Sequence, residues 1–169
     1  MHHLTKALRT GATAILVCGL SCLNTNAAKA DPTPDVNTLA AAMSKGYNLN
    51  NCAAQAPPNG ALAMIQCGQN SDSNGPAFGQ YLLFGSSSDL ASSFTASIAG
   101  DTLANCGDVK SPNVWHRGST SEAAGQVACG TYQGTAEITW TTDNKNVESV
   151  IRGANGDIKP LYDWWRTNG

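Results

Sequence analysis

The clearest periodicity in the chain lies near its end, where Ile158, Leu161, Tyr162 and Trp165 fall at i, i+3, i+4 and i+7 behind Asp157. That spacing draws one apolar stripe along a helix, with Asp157 as acceptor for free backbone N–H groups and Pro160 in the first turn, where its missing N–H costs nothing. The same spacing recurs at Val36, Leu39, Ala40 and Met43 after Asp35, closing at Gly46, and a shorter stripe of Leu90, Phe94 and Ile98 follows Asp89. Three helices are expected, each opened by an aspartate in its cap region. On the last of them Trp164 falls about 100° from Trp165, on the shoulder of the buried stripe.

Between the helices the period changes. Ala61 to Gln69 and Phe78 to Phe84 are apolar runs separated by the turn-rich Asn70-Ser71-Asp72-Ser73-Asn74-Gly75-Pro76, which reads as a hairpin loop. Gln126 to Tyr132, Ala136 to Thr142 and Asn146 to Arg152 are joined by Gln133-Gly134-Thr135 and Asp143-Asn144-Lys145, both of hairpin length. In the middle strand Ala136, Ile138 and Trp140 alternate with Glu137, Thr139 and Thr141, so one sheet face should be dry and the other wet or partly covered. Residues 107–122 are loop-like, with Val114-Trp115-His116 a candidate short edge strand. The order α, β, β, α, long loop, β, β, β, α predicts an α+β domain, an antiparallel sheet of about five strands with three helices packed on it.

The first thirty residues stand outside that pattern. Lys6 and Arg9 precede an uncharged run from Gly11 to Leu23, too short for a bilayer span, and Ala28-Lys29-Ala30 offers small residues where a signal peptidase reads them. Residues 1–30 therefore read as a secretory signal peptide and 31–169 as a single extracytoplasmic domain. The alternative is a lipoprotein acylated at Cys22, against which Gly19 stands where a Leu-type residue is wanted. The expected destination is extracellular, with retention at the cell envelope left open.

Export gives the cysteines a meaning. Cys52, Cys67, Cys106 and Cys129 remain after processing, and four cysteines permit three pairings. Leu49-Asn50-Asn51-Cys52 is echoed by Leu103-Ala104-Asn105-Cys106, and Ile65-Gln66-Cys67-Gly68 by Val127-Ala128-Cys129-Gly130, so an internal duplication is the economical explanation. If each copy closes on itself, the bridges are Cys52–Cys67 and Cys106–Cys129. These are staples rather than reactive thiols, because no Cys-x-x-Cys pair and no odd cysteine remains.

Charge and motif content limit the chemistry. Residues 31–169 carry seven Lys and Arg, scattered, against twelve Asp and Glu, which suits neither nucleic acid nor an anionic membrane. A single imidazole, His116, is left, without a Gly-x-Ser-x-Gly elbow or a free thiol to activate. Asn70-x-Asp72-x-Asn74-Gly75 imitates the start of a calcium loop, but the twelfth position is Tyr81 and the flanks read as strands, so a plain turn is expected and neither metal nor other cofactor is implied. Of the tryptophans, Trp140 and Trp165 sit on faces expected to be buried. Trp115 and Trp164, with His116 beside Trp115, are the candidate ligand contacts.

Tyr81-Leu82-Leu83-Phe84 followed by Asp89-Leu90 and Phe94, then Cys106, Trp115, Cys129-Gly130, Ile138-Thr139-Trp140-Thr141 and Leu161-Tyr162-Asp163-Trp164-Trp165-Arg166, resembles a small extracytoplasmic domain of mycobacteria and related actinobacteria. That family includes secreted proteins and the extracellular, sensor-like part of membrane-spanning Ser/Thr protein kinases. The resemblance implies a non-catalytic binding or sensor-like module of the cell envelope, taking a glycan, lipid, peptide or protein. It carries over no catalytic residue, and the chain has no kinase signature set. The competing expectation is an envelope hydrolase working through paired carboxylates, recognisable by two acids facing across a cleft with one pKa strongly raised.

Overall fold

A computed structural model describes residues 33–48 and 50–169. The signal peptide, its cleavage site and Cys22 lie outside the described residues.

The chain forms three helices, α1 (Pro34–Ala40), α2 (Ser87–Ser97) and α3 (Ile158–Asn168), on an antiparallel sheet of eight strands. The strands are β1 (Cys52–Gln55), β2 (Ala61–Cys67), β3 (Phe78–Phe84), β4 (Thr102–Ala104), β5 (Asn113–His116), β6 (Ala123–Tyr132), β7 (Thr135–Thr142) and β8 (Val147–Arg152). Their order is β1-β2-β3-β8-β7-β6-β4, with β5 also paired to β6. The α+β class and antiparallel sheet are as expected, but the count is eight rather than about five. The additional strands are at the margins: β1 and β4 are short and mostly exposed, and β5 is the edge segment around Trp115. An edge strand with both faces near water carries no apolar alternation, so periodicity does not mark it.

Both expected disulfides are present, and each ties an edge strand to its inner neighbour. Cys52 lies opposite Cys67 across β1 and β2, while Cys106, just past β4, reaches Cys129 of β6. The hairpin from β6 to β7 turns through Gln133 and Gly134, both at positive φ, which matches the twist of the strands it joins.

The helix caps refine the sequence reading. Asp157 caps α3 as expected, its Oδ1 accepting from Lys159 N at 3.2 Å. For α2 the capping residue is Ser86: its Oγ accepts from Asp89 N at 3.2 Å and donates to Asp89 Oδ2 at 2.7 Å, so the hydroxyl bridges the backbone and side chain of Asp89. For α1 it is Thr33, accepting from Val36 N, and the helix gives way to turns after Ala40, well before Gly46.

The helices divide between the faces of the sheet. α1 and α3 cover the face bearing Ile65, Tyr81, Val127, Ile138, Trp140 and Ile151, all buried. Tyr81 and Trp140 both flank Ser149 in register, and this small residue lets their rings meet edge to face at 6.4 Å. α2 covers the opposite face through Leu90 and Phe94. There the wet-face expectation fails: Glu137, Thr139 and Thr141 are at most 3% exposed. Their polarity is real, but a helix lies across them, and neighbouring polar groups replace the solvent.

Candidate functional site

Trp115 and His116 stand on β5, where the pairing with β6 slips between them: Trp115 faces Gly125 and His116 faces Ala123. Such a bulge re-aims the next side chain. The Trp115 indole N–H donates to the Thr141 carbonyl at 2.7 Å. Gly125 makes this approach possible, since a Cβ there would sit 2.1 Å from the Thr141 oxygen. The Trp115 ring meets Trp165 edge to face at 5.8 Å, and Trp165 in turn stacks on Tyr162 at 5.6 Å with 21° between the planes. Trp165 also touches Trp140 edge to face, so the aromatic core runs from Tyr81 under the sheet out to β5.

Between β5 and the C-terminal half of α3 these rings border a groove of about 460 Å³, within the range of small-ligand sites. Trp115, Tyr162 and Trp165 form its aromatic walls; Asn113, His116, Arg117 and Arg166 supply polar groups. The Arg117 guanidinium lies 5.7 Å from the Trp115 ring centre, a cation–π contact. His116 Nδ1 is 3.0 Å from the Glu122 carbonyl oxygen, so in the neutral ring Nδ1 is the donor and Nε2 is left as an acceptor. The Trp165 indole N–H is buried without a hydrogen-bond partner, and the Gly169 backbone packs against that edge of the ring.

The structure thus brings Trp115 and His116 together on one groove. Trp164 is elsewhere. Far from sitting at the margin of its stripe, it is 8% exposed against 7% for Trp165, and its indole N–H donates to Asp72 Oδ2 at 3.1 Å. The 70–76 loop covers the shoulder that the helical wheel left open. That loop is a turn, as expected: Asn70 Oδ1 accepts from Asp72 N, Asp72 Oδ1 accepts from Asn74 N, and the Asn70 amide donates to the Lys45 carbonyl. Arg117, Tyr162 and Arg166 were not among the candidate contacts read from the sequence, where Tyr162 figured in the apolar stripe of the last helix. Arg117 sits beside the Trp115-His116 pair, and Tyr162 and Arg166 share one helix face at i, i+4, so the signals were local; the folding of α3 against β5 was not.

Carboxylates do come together, on the other face. Glu148 is fully buried, its Oε1 accepting from Ser97 Oγ at 2.5 Å and its Oε2 without a partner. Glu137 is paired with Arg152, whose guanidinium lies over Phe78 and Tyr132. Asp101 follows α2 and keeps its Oδ1 buried without a partner. Burial pushes the Glu148 carboxyl upward, against the hydrogen bond from Ser97. Asp101 is pushed up to about 6, first by burial and then by the neighbouring Glu137 charge. These acids lie under α2 and the turn after it, and line neither the aromatic groove nor the apolar depression of about 450 Å³ beside α2, walled by Leu90, Phe94, Ile98 and Pro112. A raised pKa is present, but on acids that stand apart from both of these hollows.

No family model matches the chain, and no curated protein or solved structure does either. The site is therefore read from its own geometry. No helix among the described residues is long and apolar enough to cross a membrane.

Proposed function

We propose that this chain is an exported, non-catalytic binding module of the actinobacterial cell envelope, sensor-like in the manner its sequence resemblance implies, and that it takes its ligand in the groove between β5 and α3. The observation that carries this reading is the preorganisation of the walls. Trp115 is fixed by its bond to Thr141, and Tyr162 by its stack on Trp165, so the rings hold their positions without a ligand to order them. The groove's polar wall residues also lack a nucleophile beside the imidazole: Cys106 is in a disulfide, and no Ser, Thr, Asp or Glu shares the wall with His116. That composition suits recognition better than bond cleavage.

Titration of the mature protein, followed by two-dimensional NMR, with a panel of envelope glycans, lipids and peptides tests this. Shifts should cluster on the Trp115 indole, His116, Tyr162 and Arg166. Ligands that instead perturb only the α2 side of the sheet would overturn the assignment of the groove.

A further inference from the structure

The two arginines of the groove differ from the third arginine of the described chain. Arg152 is paired with Glu137, and Lys159 with Asp163, whereas Arg117 and Arg166 have no carboxylate within ion-pair distance among the described residues. The groove's ionisable side chains are Arg117, Arg166, His116 and Tyr162; no Asp or Glu side chain lines it, and the terminal carboxylate of Gly169, which does, is within ion-pair distance of neither arginine. This concentration of unpaired positive charge occurs in a chain with twelve acidic and ten basic residues, so average composition does not account for it. Asp108 and Asp163 line a flanking depression that shares Tyr162 and Arg166 with the groove, and Asp163 there is engaged by Lys159.

We infer that the groove takes an anionic saccharide, a sugar ring carrying a carboxylate or phosphate group, with the ring against Trp115 and Tyr162 and the charge met by Arg117 and Arg166. This rests on the groove being the binding site and names its ligand class. Each part of the ligand answers a feature of the walls. The half-buried rings of Trp115 and Tyr162 offer flat apolar surface to the C–H face of a pyranose. Asn113, His116 Nε2 and the exposed guanidinium groups offer partners to its hydroxyls, and guanidinium presents parallel N–H donors matched to carboxylate or phosphate oxygens. Arg117 already rests against Trp115, so it can receive an anion without reorganising. The exposed rim formed by His116, Arg117, Gly118 and Arg166 keeps the groove wet, which suits a hydrated polyol. An acyl chain is better served by the Leu90, Phe94, Ile98 and Pro112 depression, and two arginines in one hollow do not make the extended track that a nucleic-acid backbone needs.

The test is calorimetric titration of the mature protein with trigalacturonate, glucose 6-phosphate, maltotriose and inorganic phosphate, with the groove signals followed by NMR. At least one acidic sugar should bind about tenfold more tightly than both maltotriose and inorganic phosphate, and should weaken several-fold as salt is raised to about 0.2 M. Arg117→Gln and Arg166→Gln, both at exposed positions, should each weaken the acidic sugar about threefold or more while leaving Tm unchanged. Comparison of trigalacturonate with glucose 6-phosphate decides between carboxylate and phosphate. Maltotriose binding as tightly, inorganic phosphate binding as tightly, or no response to either arginine substitution would overturn the anionic-saccharide assignment. If none of these probes binds but another panel member shifts Trp115 and Tyr162, the saccharide inference fails and the groove stands; if every ligand acts elsewhere, the groove fails with it.

Discussion

Under α1 and α3 the sheet presents Tyr81, Ile138, Trp140 and Ile151, whereas under α2 it presents Glu137, Thr139, Thr141 and Glu148, and both sets are buried. The first face is held by apolar area and by rings in edge contact, neither of which depends on pH. The second combines a smaller apolar cluster of Leu82, Phe84 and Leu90 with side-chain hydrogen bonds and an ion pair, and it leaves Glu148 Oε2 and Asp101 Oδ1 without partners. An unpartnered buried oxygen is costly, and for a carboxyl the cost falls when the group is protonated. The two faces of one sheet therefore respond to different perturbations. The aromatic face also carries the groove, so the proposed ligand would bind on the face whose packing is apolar.

The largest effect is expected from the aromatic face. Trp165→Ala removes a ring in contact with Trp115, Trp140 and Tyr162 and should cost about 3 to 5 kcal/mol, measured by urea unfolding with the disulfides intact. Trp164→Ala should fall in the same range, because this ring is buried to the same degree and also holds the 70–76 loop through Asp72. A Trp164 variant with near-native stability would restore that ring to the margin where helical spacing alone puts it.

That contrast shows what the sequence could reveal. Elements with strong, long periodicity were legible: α3, and the β6, β7 and β8 meander, fall within a few residues of the expected bounds. β1 and β4 were not, since a short edge strand such as Cys52-Ala53-Ala54-Gln55 buries too little to impose a pattern. The alternation of β7 reported its two faces correctly, but polarity could not reveal that α2 would cover Thr139 and Glu148. The groove was half legible. Trp115 and His116 are neighbours in sequence, whereas Arg166 reaches them only because Trp165 docks on Trp115, a long-range contact without local signal.

The polar face should show itself in the pH dependence of stability. Asp101 has its carboxyl raised from about 4 to about 6 in the folded protein, so the folded state binds a proton that the unfolded chain has released over this interval. Its contribution is fully present below about pH 4, is lost as pH rises to about 6, and is flat beyond that. Glu148 acts in the same direction. Asp101→Asn and Glu148→Gln should therefore flatten the curve, each gaining on the wild type as pH rises. For Asp101 the gain should be no more than about 2 kcal/mol, since this residue is only partly buried and solvent screens its charge. Urea midpoints at pH 4 and 7 measure it, and a wild-type-minus-variant difference that does not change between them would remove the protonation argument. Trp140→Phe, on the other face, should shift both midpoints equally.

A smaller effect belongs to the contact between α3 and the 70–76 loop. Asp72→Ala removes the acceptor of the Trp164 indole N–H and of the Asn74 N–H, leaving one buried donor unmade, at a cost of about 1 to 2 kcal/mol. Asp72→Asn keeps an acceptor oxygen and should recover most of that loss. If the two variants unfold alike, the carboxylate charge rather than the hydrogen bond holds the loop.

The smallest effect concerns how α2 is kept over the polar face. Its N-terminus is closed by Ser86, whose Oγ accepts from Asp89 N and donates to the Asp89 carboxylate. Asp89 also lies in the first turn, where a negative charge meets the positive end of the helix dipole. Ser86→Ala removes both bonds and should cost about 1 kcal/mol. Thr33→Ala at α1 offers the matching change on the aromatic face, where the cap bond is 3.3 Å and exposed and the helix has seven residues. A frayed first turn of α2 loosens the helix that carries Leu90, Phe94 and Ser97 over the sheet, so Ser86→Ala should speed amide exchange along β8 near Glu148. Thr33→Ala should leave those amides as they are. Equal protection of β8 in both variants would mean that Leu90 and Phe94 alone hold α2 down, and that the cap adds only to the helix itself.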